Sequence, residues 1–146
     1  MDTDPACVFC DIVAGRAPAS VPYQDDEALA IMDIRPVTPG HLFVVPREHA
    51  PFLADLDEDT GAHLFRVAMR MAAALRASGL RCEGVNLFLA DGEAAFQEVF
   101  HVHLHVFPRY PGDDFKIDAD WTAEPSREAL DAAADRIRQA YRGLYG

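Results

Sequence analysis

The sequence predicts an α+β domain, with five short strands pairing antiparallel and helices flanking them. Three observations carry this expectation. Short apolar runs are closed by proline, continuous in "HLFVVP" and alternating with histidine at period two in "HVHLHVFPR". A different period, near 3.6, begins at Asp57 and places Leu64, Val67, Ala68, Met71 and Leu75 on one face. The turns between most consecutive strands are short, which suits antiparallel neighbours.

Taken in order, "VFCDIVAG" pairs Val8/Phe9 with Ile12/Val13 and stops at Gly15, a short helix. The proline-punctuated "APASVP" leads into "VPYQ", a short strand. "DDEALAIMDI" opens with turn residues and becomes a strand ending near Asp33. Pro36, Pro39 and Gly40 make a turn. "HLFVVP" is a strand closed by Pro46. The long helix follows, capped by Asp57, Asp59 or Thr60 and ended by Gly79. "GVNLFLAD" is the fourth strand and "DGEAAFQE" a loop. "VFHVHLHVFPR" is the last strand, stopped by Pro108. Ser126 caps a C-terminal helix with Leu130, Ala134, Ile137, Tyr141 and Leu144 on one face.

The chain has 146 residues, enough for one domain with a real core, and 50 % of them are hydrophobic. Its formal net charge of -11 argues against nucleic acid or an anionic membrane as partner, since both need a basic surface. "MDTDPACVFC" carries aspartates where a secretory signal needs basic residues, and no apolar run approaches the ~20 residues of a membrane span. The expected location is the cytoplasm. Three cysteines in a reducing compartment make a poor disulfide framework. The Cys7-x-x-Cys10 pair suits a metal or redox role better, with two buried thiols as the plain alternative.

Half of the six histidines stand in "HVHLH". On a strand, His101, His103 and His105 share one face, and Val102, Leu104 and Val106 share the other. One histidine in a strand is usually structural. Three at strict period two call for chemistry. Two of them, about 7 Å apart along the backbone, can converge on zinc, but the third has difficulty joining the same ion. Alternatively, a neutral imidazole is a good nucleophile towards phosphorus when its other nitrogen is held by an acceptor. A neighbouring imidazole can then bind phosphate or pass a proton. In that arrangement His103 attacks and His105 assists.

"HVHLHVF" resembles the His-φ-His-φ-His-φ-φ signature of the histidine triad (HIT) family. "CVFCDIVAGRAPASVPYQDDEALAIMDIRPVTPGHLFVVPREH" is similar to that family's N-terminal pattern, element by element. The resemblance covers residues 7 to about 109 of a single domain, with 110–146 as a C-terminal extension. It implies a five-stranded antiparallel sheet with flanking helices, a homodimer, and cleavage of a purine nucleotide conjugate to the nucleoside monophosphate. His103 maps to the family nucleophile and His105 to the phosphate contact and proton partner. Asp33 maps to a ribose-binding carboxylate. Phe9, Ile12, Met32 and Ile34 fall where the family builds an apolar base slot, although plain core packing explains each of them alone. Cys7, Cys10, His49 and His101 map to a structural zinc site, and Cys2His2 is a standard tetrahedral zinc set. No organic cofactor is implied. His41 reads as structural, and His63 as a solvent-facing residue of the long helix.

The chain departs from the family pattern before the triad. Ala90 stands where many members carry Asn or Gln, Phe96 where many carry glycine, and Glu98 where Ser or Thr is common. Gln97 remains as a phosphate or leaving-group contact, and Arg109 as a source of positive charge or a surface residue. The expected activity is hydrolysis of a nucleoside 5'-phosphoramidate or related conjugate through a nucleotidyl-histidine. The alternatives are a dinucleoside polyphosphate hydrolase, a purine-nucleotide binding module with little turnover, and a metal hydrolase using the histidines directly.

Overall fold

The computed structural model describes residues 4–146. They divide into two units, one reaching Phe115 and the other running from Lys116 to Gly146. In the first unit, α1 (Val8–Val13) precedes β1 (Tyr23–Gln24), β2 (Ala28–Met32) and β3 (Leu42–Pro46). Then come α2 (Glu58–Ala77), β4 (Gly84–Leu89) and β5 (Leu104–Arg109). The second unit contains α3 (Arg127–Tyr145), capped by the Ser126 side chain, which accepts the Ala129 N–H. Leu130, Ile137 and Leu144 on that helix are exposed.

All five strands pair antiparallel in the order β1-β2-β3-β5-β4. Alternation along the strands sends side chains to two faces, each with its own core. On one face Ala28, Ala30, Leu42, Val44, Leu104 and Val106 pack against Leu64, Val67, Ala68 and Leu75. Those last four are helical positions that the 3.6-residue period predicts. Asp57 is the cap of α2, its Oδ1 accepting the N–H groups of Asp59 and Thr60 at 3.0 and 3.2 Å. On the other face Leu29, Ile31, Phe43 and Val45 meet Cys7, Phe9 and Cys10 of the α1 segment.

Three local expectations are corrected. The regular β5 ladder starts at Leu104, so His101 and His103 precede it, outside the regular strand. Val102 N–H donates to Ala50 O at 2.8 Å there, outside the sheet. Side-chain alternation nevertheless persists, with Val102 in the α2-side core beside Leu104 and Val106. Pro108 does not stop β5, which runs on to Arg109. Its carbonyl accepts from Thr38 Oγ1 at 2.9 Å, so the missing N–H faces the side where the β3 ladder has already ended at Leu42↔Val106. On the opposite side β4 pairing continues through Val85↔Pro108. His63 is not solvent-facing. Its Nε2–H donates to Asp25 Oδ2 at 2.6 Å, because the β1–β2 turn reaches over α2.

Candidate active site and metal cluster

Register places the histidines. On β5, His105 lies opposite Phe43 of β3 and Phe88 of β4. Its Nδ1 is 2.9 Å from His41 Nε2. Val37 N–H donates to His41 Nδ1 at 3.2 Å, which makes Nε2 the protonated nitrogen of His41. His105 Nδ1 is therefore the acceptor, and His105 carries its proton on Nε2. Sequence reading set His41 aside as structural. Its contact with His105 spans 64 positions and had no local signal.

His103 is locked in the opposite tautomer. Its Nδ1–H donates to the His101 carbonyl at 2.8 Å, which leaves a lone pair on Nε2. Phe9 and Phe43 hold the ring edge-on, with centroids at 5.1 and 5.8 Å. Among the described residues, neither His103 Nε2 nor His105 Nε2 has a hydrogen-bond partner. Both histidines line one cleft of about 290 Å³, together with Phe9 and Asp33. Burial lowers the pKa of His103 and pushes that of His105 down to about 4, the latter helped by neighbouring His103 and His41. Both imidazoles are thus held neutral.

Asp33 lies just past the end of β2. Its Oδ1 accepts the Arg35 N–H at 2.8 Å, and its Oδ2 is 3.6 Å from His41 Nδ1. The same carboxylate borders a second, smaller cavity of about 140 Å³, lined by Ile12, Met32 and Ile34 among others. Ile34 is 91 % exposed, so plain core packing does not explain it. Asp33 therefore sits between an apolar slot and the histidine cleft. Phe9 does not join the slot and walls the histidine cleft instead. Gln97 joins neither. Its Oε1 accepts Gly92 N–H at 2.8 Å, and its Nε2 donates to Pro51 O and Val99 O at 2.7 and 3.1 Å. That buried amide is used up in tying the loop. Arg109 is likewise occupied, by Asp113, Asn86 and the ring of Phe115.

The third histidine belongs to a different constellation. His101 Nε2–H donates to Pro46 O at 2.8 Å, so its bare Nδ1 points the other way. There it meets Cys7 Sγ at 3.5 Å, Cys10 Sγ at 3.6 Å and His49 Nδ1 at 3.2 Å. Cys10 Sγ is 3.3 Å from His49 Nδ1. Tetrahedral zinc with ordinary bond lengths requires edges of about 3.3 Å between nitrogens and about 3.5 Å between sulfur and nitrogen. These four contacts stand close to that spacing, and all four donor atoms lie within 4.8 Å of one another. On its far side His101 donates to Pro46 O, and Asp4 Oδ2 lies 3.7 Å from His49 Nε2, beyond hydrogen-bond distance. Burial lowers His101 to about 4 and raises Cys10. A dication favours the forms that bind it, neutral imidazole and thiolate.

A five-stranded antiparallel sheet carrying a histidine cleft and a Cys/His cluster on one face defines an α+β histidine-site domain. The chain belongs to the HIT domain family, whose model matches residues 14–112. An uncharacterised HIT-like protein of Mycobacterium tuberculosis is 43 % identical over 141 residues, covering 88 % of this chain and 97 % of that one. An adenosine 5'-monophosphoramidase of Schizosaccharomyces pombe is 30 % identical over 133 residues, covering 90 % and 96 %. A crystal structure of a zinc-bound histidine triad family protein from Mycobacterium smegmatis superposes with a TM-score of 0.72 at 45 % identity, covering 92 % and 97 %. Among the described residues, no helix is long and apolar enough to cross a membrane.

Proposed function

We propose that this chain cleaves the P–N bond of nucleoside 5'-phosphoramidates through a nucleotidyl-His103 intermediate. The observation that carries this reading is the Nδ1–H lock of His103 on the His101 carbonyl, which leaves Nε2 bare in a cleft shared with His105. In the first half-reaction the His103 Nε2 lone pair forms a bond to phosphorus. The P–N bond breaks, and its electron pair goes to the departing amine nitrogen, which takes the proton from His105 Nε2. His105 Nδ1 takes the His41 Nε2 proton and a solvent proton replaces it on His41, so that no ring is left anionic. In the second half, water attacks phosphorus, the His103–P bond breaks, and the proton from water returns to His105 as those transfers reverse. The products are an amine and a nucleoside monophosphate.

Asp33 receives the ribose hydroxyls, and Ile12, Met32 and Ile34 hold the purine. The position of Asp33 between slot and cleft supports this division of labour. Phe9 orients the nucleophile, and no substrate contact is assigned to Gln97. Cys7, Cys10, His49 and His101 hold a structural zinc in this reading, and the donor spacing supports it. Bound there, the metal would tie the start of α1 to the segment that carries His103. Similarity to an adenosine 5'-monophosphoramidase favours the P–N bond.

The test is turnover of adenosine 5'-phosphoramidate by wild type and His103→Ala, with products separated and identified. AMP release by wild type alone, with His103→Ala folded and still binding AMP, is the expected result. Wild-type turnover in the variant would sink the assignment.

A further inference from the structure

The cleft has two unlike ends, and sheet order separates them. Strands run β2-β3-β5-β4, so Asp33 after β2 and Phe88 on β4 lie on opposite sides of His105. In the reading above, the nucleoside occupies the β2 end. The leaving group then departs over β4 and the loop that follows it.

That end offers no side-chain donor to a phosphate. Ala90 contributes only a methyl, and the Gln97 amide is spent on backbone groups. The cleft's cation, Arg35, belongs to the turn beside Asp33. What the β4 end does offer is two phenyl rings and a carboxylate: Phe88, Phe96 and Glu98 all line the cleft with His103 and His105. Phe88 and Phe96 are 45 % and 83 % exposed.

Phe96 is held there against its own preference. It is the one non-glycine among the described residues with positive φ, at +68°. A Cβ in left-handed backbone costs free energy, and such strain persists only where the surroundings over-determine it. Here they do. Phe96 N–H donates to Glu93 O, Gln97 N–H donates to Gly92 O, and the Gln97 side chain ties both ends of the turn. The turn spends strain to stand an uncovered ring at the mouth of the cleft.

We propose that Phe88, Phe96 and Glu98 make this site select an uncharged or cationic aromatic amine as leaving group and turn away anionic ones, polyphosphates included. The proposal rests on the phosphoramidate reading. An aromatic amine stacks on the rings, and a leaving group carrying a carboxylate or phosphate meets Glu98 with like charge and no compensating donor.

Three substrates of one design test this: adenosine 5'-phosphoramidates of ammonia, benzylamine and phenylglycine. The last two share a ring and differ by a carboxylate. Wild type should prefer benzylamine to ammonia by about threefold to tenfold in kcat/KM, the worth of one aromatic pair. It should prefer benzylamine to phenylglycine by about fivefold or more. In Phe96→Gly and Phe96→Asn, which both tolerate the left-handed turn, the benzylamine-to-ammonia ratio should fall towards one. In Glu98→Gln the benzylamine-to-phenylglycine ratio should fall likewise. The Tm of Phe96→Gly should not drop; a fall of about 4 °C or more would make Phe96 a packing residue and overturn the proposal. AMP released from all three substrates, with ratios the variants leave unchanged, overturns the selectivity alone. No AMP from any of them overturns the phosphoramidate reading, and the selectivity with it.

Discussion

The backbone carbonyl of His101 accepts the Nδ1–H of His103 at 2.8 Å. One residue therefore serves two sites: the His101 ring faces Cys7, Cys10 and His49, and its carbonyl fixes the tautomer of His103. The Cys/His cluster and the histidine cleft share a piece of backbone. In the proposed reading, zinc bound at that cluster would support catalysis by holding the backbone still, with no contact to substrate.

Cys10→Ala tests that coupling. The variant loses one of four donors and leaves Nδ1 of His49 and Nδ1 of His101 facing each other at 3.2 Å. Zinc content should fall from about one per chain to near none, and stability by about 2–4 kcal/mol. AMP release should fall with it. Metal analysis and chemical denaturation check this, and a variant that keeps wild-type stability and turnover without zinc would contradict it.

His41 positions His105 through the 2.9 Å contact to its Nδ1. Replacing it by alanine frees the ring and its tautomer while leaving the apolar slot and Asp33 in place. The expected result is a kcat about tenfold to a hundredfold lower, a fraction of what full loss of a general acid costs, with KM little changed. Equal losses in kcat and in thermal stability, with KM raised, would make His41 only a packing residue.

The strands, their approximate bounds and the α2 core face were legible because period-two and period-3.6 patterns are local properties. The triad was legible because its spacing is also local, and the Cys7–Cys10 pair because it lies within one turn of α1. The sequence stayed silent wherever function depends on contacts between distant segments. His41 meets His105 across a strand pair, and Asp25 in the β1–β2 turn meets His63 on α2. Gln97 reads as a phosphate or leaving-group contact through resemblance to the glutamine of the family's loop. Nothing in "AFQEV" shows that Pro51 and Val99 claim its amide. Pro108 read as a stop because the sequence cannot show which side of the strand has a neighbour.

The Asp25 carboxylate gathers Tyr23 Oη, His63 Nε2 and the N–H groups of Glu27 and Ala28. Burial alone would raise its pKa, and these hydrogen bonds outweigh that and hold it well below the ordinary carboxylate range. A depressed carboxylate contributes stability above its unfolded value of about 3.9, and that contribution is lost as pH falls below it. Asp25→Asn should therefore flatten the acid limb of the stability curve, and His63→Ala should cost about 1–2 kcal/mol at neutral pH. Denaturation at a series of pH values checks both. Parallel acid limbs in wild type and Asp25→Asn would contradict the assignment.

Catalysis should also carry the mark of burial. His103 attacks only when Nε2 is unprotonated. Burial lowers its pKa and pushes that of His105 to about 4, against an ordinary value of 6.5. Both rings therefore remain neutral as pH falls past 6.5, where a histidine in the unfolded chain takes up a proton. Two consequences have opposite signs. Turnover should hold its plateau below pH 6.5 and fall only at lower pH. Stability should decline through the window from about 6.5 to about 4, because there the unfolded chain binds protons that the folded chain does not. A pH profile of kcat/KM, paired with denaturation in the same buffers, reads both. A rate midpoint at 6.5 or above, with stability flat across that window, would mean that these imidazoles titrate as exposed groups and that burial does not hold them neutral.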